Sequence, residues 1–445
     1  MTLSRIDETF SVSGQIHETD IQAIKDAGFR AIICNRPDGE GVDQPTFNEI
    51  DKAAKKAGIE TSYLPIVSGK VSDEDAAAFD KILNELPGPV LAYCRTGTRS
   101  TTLWSLSQAI HRSLPDILMA TKAAGYDMAG VVRRITNGGK TPTEKGDFNF
   151  EIVIAGAGAG GIATAASLKA RKPDLEIAIV DPADIHYYQP GWTMVGGGIF
   201  RAEQTSRTMG SLIPNGVRWI KAAVAAFEPE NNAVILDGCR VVKYKRLIVC
   251  PGIKLDWNKV DGLVDTLGQN GVTSNYRYDL APYTWELVEA MQQGRAIFTQ
   301  PPMPIKCAGA PQKAMYLSGD AWHRRSVLKN IDIQFNNAGG VLFGVKDYVP
   351  ALMKYVEKYN AKLNFSHNLV AVDGPAKKAW FDVSKPDTPI ERIEMEFDMM
   401  HVCPPQTAPD FIRVSPLQMP LVGLTLIRPH CVTKAMTMSG HWVML

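Results

Sequence analysis

EIVIAGAGAGGIATAASL, residues 151–168, reads as a strand, a tight glycine turn and a helix in immediate succession. Ile152, Val153 and Ile154 are the apolar run of a buried strand, and Gly156-x-Gly158-x-x-Gly161 follows at once. Gly156 permits the turn, Gly158 keeps no side chain between the backbone and an anion, and Gly161 lets the helix pack close to the strand. Ala157 completes the turn, whose helix N-terminus faces a pyrophosphate. A second strand, Glu176 to Val180, ends in Asp181, twenty positions after Gly161, where a carboxylate receives a ribose hydroxyl. An Asp there, with no Arg, favours FAD or NAD over NADP.

Working outward, the chain has 445 residues, room for two or three domains. A formal net charge of +1 gives no electrostatic case for nucleic acid. Met1 is followed by polar and acidic residues, so no secretory signal is read. No apolar run reaches the roughly 18 residues of a membrane span. The seven cysteines lack CxxC or zinc spacing, so no metal is expected, and they suit a reducing cytoplasm.

Residues 1–112 read as a small α/β domain. Apolar runs at Ala31–Cys34, Tyr63–Ile66 and Val90–Tyr93 alternate with amphipathic helices at 19–27, 46–57 and 73–86. The alternation predicts a parallel sheet covered on both faces. The strand at 89–93 delivers Cys94-Arg95-Thr96-Gly97-Thr98-Arg99-Ser100, with a helix expected from about Thr101. A thiolate at Cys94 would sit among backbone N–H groups, at a helix N-terminus, near Arg95 and Arg99; each favours a nucleophilic sulfur. The same cradle suits a phosphate or a persulfide. Asp73 and Asp75 are available as general acids, but nothing singles out either. Residues 113–148 read as a helical segment and a polar linker, TNGGKTPTEKGDF at its end.

Beyond Asp181, Tyr187, Tyr188 and Trp192 could lie over a flavin ring or pack as ordinary core. Strands are expected at Ala233–Leu236 and Arg246–Val249, the latter ending in Cys250-Pro251-Gly252. A further strand at Ala296–Thr299 runs into Pro301, Pro302 and Pro304, which cannot form the glycine turn of a second nucleotide site. Cys307, preceded by Lys306, takes that place.

Two resemblances follow from these strings. Residues 3–110, with FSVSGQI at 10–16 and NRPDGE at 35–40, resemble a protein-tyrosine-phosphatase-like family found alone or fused to sulfur-metabolism enzymes. Tyrosine phosphatases carry Cys, five residues, then Arg; here that position is Ser100 and the arginine comes one earlier, at Arg99. The tighter ring resembles a rhodanese loop. Sulfur transfer, phosphatase activity and a degenerate binding domain all stay open.

Residues 149–417 resemble sulfide:quinone oxidoreductase, through GAGAGGIATAASL (156–168), DIHYYQPGW (184–192), RLIVCPG (246–252), PIKCAGAPQKAMYL (304–317) and HVCPPQTAPDF (401–411). The resemblance implies an α/β chain: a phosphatase-like domain, then a Rossmann-type FAD-binding oxidoreductase with tandem dinucleotide-binding domains, the second degenerate. It implies FAD on Gly156, Ala157, Gly158, Gly161, Asp181 and Gly252, and Cys307 as the redox cysteine. Sulfide and a quinone are the implied substrates, with a small thiol, or Cys94, taking the sulfane sulfur. A homo-oligomer is expected, cytoplasmic and peripheral on the inner face of the membrane. The alternatives are an FAD/NAD(P)H oxidoreductase fused to a phosphatase domain and an inactive flavoprotein remnant. The family's second redox cysteine and its Gly-Asp are missing: Cys403 is the nearest substitute, and Cys431 has no Gly-Asp before it. Residues 418–445 read as an aberrant, frameshifted tail, which would remove part of the FAD site and the apolar C-terminal surface that sits on a membrane.

Overall fold

The computed structural model describes residues 2–42, 44–142 and 148–417. The frameshift expectation and Cys431 lie outside the described residues.

The first unit is a five-stranded sheet in the order 3–5, 10–13, 90–93, 31–34, 60–63. Four strands are parallel, and Leu3–Arg5 pairs antiparallel with Phe10–Ser13. The all-parallel expectation is thus corrected by one edge strand. The fourth strand also moves, from 63–66 to Glu60–Tyr63. As an edge strand it keeps partly exposed residues, while the apolar Ile66 beyond it turns into the core. The helix Phe47–Ala57 starts at a Thr46/Glu49 capping box and stops at the left-handed Gly58; Asp73–Glu85 starts at a Ser72/Asp75 box.

Helices Leu114–Ala123 and Val132–Thr136 follow. Leu114, Ile117, Val132 and Ile135 join the same core as Phe10, Phe79 and Trp104, and that core continues into Ala233, Ile235 and Val241. Apolar packing therefore runs unbroken from the first unit into the next. Arg133 closes the seam with two hydrogen bonds to Glu228, at 2.8 and 2.6 Å.

The second unit's sheet runs 217–220, 177–180, 148–155, 241–249, 233–236, 224–228. Its first four strands are parallel and its last two form an antiparallel meander. The third unit repeats the plan: parallel strands in the order 272–273, 399–401, 294–300, 331–337, 362–365, and a separate antiparallel meander over 367–396. Phe298, Phe335 and Trp322 fill the core between that sheet and the helix Ala310–Arg324. These are tandem dinucleotide-binding domains, each with its ligand edge at the carboxyl ends of its parallel strands.

Candidate functional sites

The glycine turn joins the strand Phe148–Ala155 to the helix Ala159–Arg171. Gly156 has φ +105°, and a Cβ there would lie 2.1 Å from the Cys250 carbonyl oxygen. A Cβ on Gly161 would lie 1.9 Å from the Gly156 carbonyl oxygen. Both glycines are thus dictated by backbone approaching backbone. A Cβ on Gly158 would meet nothing within 4 Å, and no side chain caps the helix it begins. That open side and uncapped helix head form a cradle suited to a pyrophosphate. Asp181 accepts the Ala157 N–H at 2.8 Å and the Ala183 N–H at 2.9 Å, so it braces the turn and keeps lone pairs for a hydroxyl. Gly252, φ +71°, lies in the turn after the neighbouring strand Val241–Val249 and also opens on free space.

Elsewhere in these two units several buried polar side-chain atoms lack protein partners among the described residues. The Trp192 Nε1, both side-chain polar atoms of Asn275, the Gln300 Oε1 and the His401 Nδ1 are buried with no hydrogen bond among the described residues. The His401 Nε2 accepts the Asn275 N–H at 2.9 Å, which leaves the proton on Nδ1. Burial lowers the His401 pKa to about 4, so the ring is neutral. Buried orphan donors and acceptors of this kind mark the place of a polar ligand or water. Trp192 packs against Tyr187 and Tyr278, while Tyr188 is exposed.

In the third unit the strand Gly294–Gln300 and the helix Ala310–Arg324 are joined by residues 301–309. Cys307 is exposed, with φ +62°, unusual for a residue with a side chain. Its Sγ lies 3.7 Å from the Lys313 Nζ, one turn into the helix. The Lys306 N–H donates to the Gln406 Oε1 at 2.5 Å, and its ammonium donates to the Gln189 Oε1 at 3.2 Å. The second contact ties the cysteine loop to the segment carrying Trp192. Desolvation lowers the Lys306 pKa. Cys403 is buried in a cluster with Ile305 and Tyr276, and desolvation pushes its thiol pKa up, the opposite of what a nucleophilic sulfur needs.

In the first unit Cys94 is buried at the end of its strand, and its Sγ accepts the Gly97 N–H at 3.2 Å. The helix begins at Thr98, earlier than expected, because Gly97 in the left-handed region caps it. Arg95 is exposed. Arg99 is buried; it donates to the Asn35 carbonyl at 3.0 Å and to the Glu40 Oε1 at 2.8 Å. Glu40 also holds Arg36 at 2.8 Å. Burial raises the Glu40 pKa, but the hydrogen bonds from Arg36 and Arg99 outweigh it and hold the carboxyl below its ordinary value. The Arg99 Nε and the Ser13 Oγ are buried without hydrogen-bond partners among the described residues. Asp73 is taken up structurally: its carboxylate holds Arg134 and the Thr141 N–H.

Sequence reasoning missed Glu40, Asn275, His401 and Lys313, and also Tyr126, whose hydroxyl donates to the Thr96 carbonyl of the Cys94 loop at 3.2 Å. Only Lys313 left a signal, a cation in the first turns of the helix that follows Cys307.

Comparison with known proteins follows the same division. The family model for the phosphatase-like domain of Beta-lactamase hydrolase-like protein matches residues 2–111. Over 135 residues the chain is 33% identical to the Beta-lactamase hydrolase-like protein of Agrobacterium fabrum (strain C58), covering 30% of this chain and 31% of that protein. Over 296 residues it is 39% identical to the mitochondrial sulfide:quinone oxidoreductase of Dictyostelium discoideum, covering 66% of this chain and 64% of the relative. The chain thus spans less than two thirds of that relative's length. The solved sulfide:quinone oxidoreductase of Aquifex aeolicus superposes with a TM-score of 0.51 at 17% identity, over 60% of this chain and 61% of that one, which shows the shared fold.

The fold and the comparisons define a tandem Rossmann-type region of the kind found in flavoproteins, with a phosphatase-like unit ahead of it. The chain joins a region similar to the phosphatase-like domain of Beta-lactamase hydrolase-like proteins to a region similar to sulfide:quinone oxidoreductases.

Proposed function

We propose that this chain oxidises sulfide at Cys307, delivers the two electrons to a quinone, and passes the sulfane sulfur to a thiol. In the net reaction, hydrogen sulfide, a quinone and a thiol RSH give the persulfide RSSH and the quinol. The observation that carries the reading is the placement of Cys307: an exposed thiol at the carboxyl edge of the second dinucleotide domain, where a nucleotide-binding relative has its glycine turn.

FAD fits the first cradle, with Gly156, Ala157, Gly158, Gly161, Asp181 and Gly252 as its holders, and when bound it supplies a two-electron acceptor. The chain's own residues do the rest. The Lys313 ammonium and the head of the helix Ala310–Arg324 stabilise anionic sulfur at Cys307. Lys306, bridged to Gln189, holds the loop against the aromatic segment, where Tyr187, Trp192 and Tyr278 limit water. The Cys94 loop holds a buried thiol, and its Arg99 Nε and the Ser13 Oγ of the adjacent strand lack partners among the described residues; we read it as the sulfur acceptor in place of a phosphatase site. Among the described residues no helix is long and apolar enough to cross a membrane, so we read contact with the quinone's membrane as peripheral.

The test is anaerobic. Sulfide added to the purified chain should bleach the flavin absorbance, and a short-chain quinone should restore it. Cys307→Ser should keep its flavin and lose bleaching by on the order of 10²-fold or more. Bleaching by NADH with none by sulfide would support the NAD(P)H oxidoreductase instead; purification without any flavin would support the inactive remnant.

A further inference from the structure

The peptide plane between Thr96 and Gly97 is engaged on both sides. Its N–H, on Gly97, donates to the Cys94 Sγ at 3.2 Å. Its C=O, on Thr96, accepts a hydrogen bond from the Tyr126 hydroxyl at 3.2 Å. The unit is planar and rigid, so whatever fixes the carbonyl also fixes the direction of the N–H. A hydrogen bond to the carbonyl further polarises the same amide as a donor. The tyrosine is pressed close: a Cβ on Gly97, at φ +88°, would lie 2.1 Å from the Tyr126 hydroxyl oxygen and 2.8 Å from its ring carbon Cζ. Gly97 is therefore required twice, by its backbone conformation and by the phenol against it. Burial raises the Tyr126 pKa, so the phenol keeps its proton and remains a donor.

Tyr126 lies outside residues 2–111, which the phosphatase-like family model matches. It belongs to the stretch between the helices Leu114–Ala123 and Val132–Thr136. The second of those helices carries Arg133, which grips Glu228 of the dinucleotide-binding unit. One segment thus touches the Cys94 loop at one end and the oxidoreductase region at the other.

We propose that Tyr126 is a positioning residue for Cys94, aiming the Gly97 N–H at the sulfur through the single peptide plane of residues 96 and 97. This rests on the reading of Cys94 as a sulfur acceptor. In that reaction the Cys94 thiolate attacks the outer sulfur of a persulfide, RS–SH. A Cys94–S bond forms, the RS–S bond breaks, the electron pair leaves on RS⁻, and the transferred sulfur keeps its proton. No external oxidant is needed. The Gly97 N–H stabilises the attacking thiolate and holds it in line.

The test compares full-length wild type, Tyr126→Phe and Met128→Leu. Cys94 is followed by site-resolved mass spectrometry of iodoacetamide labelling across pH, and by persulfide transfer from glutathione persulfide. Tyr126→Phe keeps the ring and loses the hydroxyl's bonds, to the Thr96 carbonyl and to the Ser4 side chain; Ser4→Ala, which removes only the second, should leave Cys94 at the wild-type rate. Tyr126→Phe should slow both reactions at Cys94 about 3–10-fold, the worth of one hydrogen bond. It should move the half-maximal pH of Cys94 labelling upward and leave Cys307 labelling unchanged. Met128→Leu, on the same stretch, should leave Cys94 at the wild-type rate. Reactive Cys94 with unchanged rate and pH profile in Tyr126→Phe overturns the positioning role, as does equal slowing by Met128→Leu. Wild-type Cys94 that labels no faster than the buried Cys34 overturns the sulfur-acceptor reading itself.

Discussion

The two dinucleotide-binding units use one strand–turn–helix plan twice and fill the turn in two ways. Between the strand ending at Ala155 and the helix starting at Ala159 stand only Gly156, Ala157 and Gly158. Between the strand ending at Gln300 and the helix starting at Ala310 stand residues 301–309, with three prolines and Cys307. In the first, backbone meets backbone so closely that side chains are excluded, and the helix head is left bare for an anion. In the second, Pro311 removes an N–H from the first turn of the helix, and the ligand-facing chemistry moves to a side chain. The same scaffold position is bare backbone in one turn and presents an exposed thiol in the other, according to whether the turn brings in backbone or sulfur.

The strongest way to break that contrast is to add one methyl group to each turn. Gly156→Ala brings a Cβ to 2.1 Å from the Cys250 carbonyl oxygen in a backbone conformation at φ +105°. Overpacking and backbone strain together should cost about 2–6 kcal/mol, and the purified variant should carry almost no flavin. Gly309→Ala, in the second turn, brings its Cβ no nearer than 3.8 Å to the Phe343 ring. It should change stability by less than about 0.5 kcal/mol and keep its flavin. Melting temperatures and flavin-to-protein ratios of the two variants check this. Wild-type flavin content in Gly156→Ala would mean that the first turn is not the pyrophosphate cradle.

The contrast itself was largely legible in the sequence, because glycine spacing and prolines act locally. The strands Ala31–Cys34, Val90–Tyr93 and Ala233–Leu236 appear with the expected ends, since buried strands are continuous apolar runs. The meander over 367–396 did not, because strands with alternating exposure and charged neighbours carry a weaker signal. What no periodicity can announce is a contact between distant loops. Glu40 reaching Arg99, Lys306 reaching Gln189 and Tyr126 reaching Thr96 are set by tertiary packing alone. For that reason the glycines and cysteines could be placed in their turns from the sequence, and the distant residues that contact those turns could not.

The second turn also differs in how its neighbouring strand is held. Asp332, at the start of Ile331–Asn337, bonds Arg295 and Lys362 at 2.8 Å each. Burial raises its pKa, but these partners and Gln334 outweigh it and hold the carboxyl down at about 2, below its ordinary 3.8. A depressed carboxyl stabilises the fold above its unfolded value and loses that contribution as pH falls through the folded one. The contribution is therefore complete above about pH 4 and fades toward pH 2. Allowing for its partial exposure, it is at most about 2 kcal/mol. Hydrogen exchange of the strand 331–337 should be faster in Asp332→Asn than in wild type at pH 5, with the two converging near pH 2. A difference that persists at pH 2 would mean that packing, not charge, pins the strand.

The smallest expected effect probes the side-chain character of the second site directly. A cradle of backbone N–H groups has no charge that a substitution can remove, whereas the Cys307 site places the Lys313 ammonium 3.7 Å from sulfur in an exposed setting. Exposed charge pairs are worth about 0–1 kcal/mol and are screened by salt. Lys313→Met, which keeps the apolar stem, should therefore slow iodoacetamide labelling of Cys307 by up to about 5-fold at low ionic strength. In wild type, raising the salt toward 1 M should bring the rate down to that of the variant, because the Debye length shrinks to about 3 Å. Equal labelling rates at low salt would show that the helix head and loop backbone alone support the sulfur. The two turns would then differ in what they hold and agree in how they hold it.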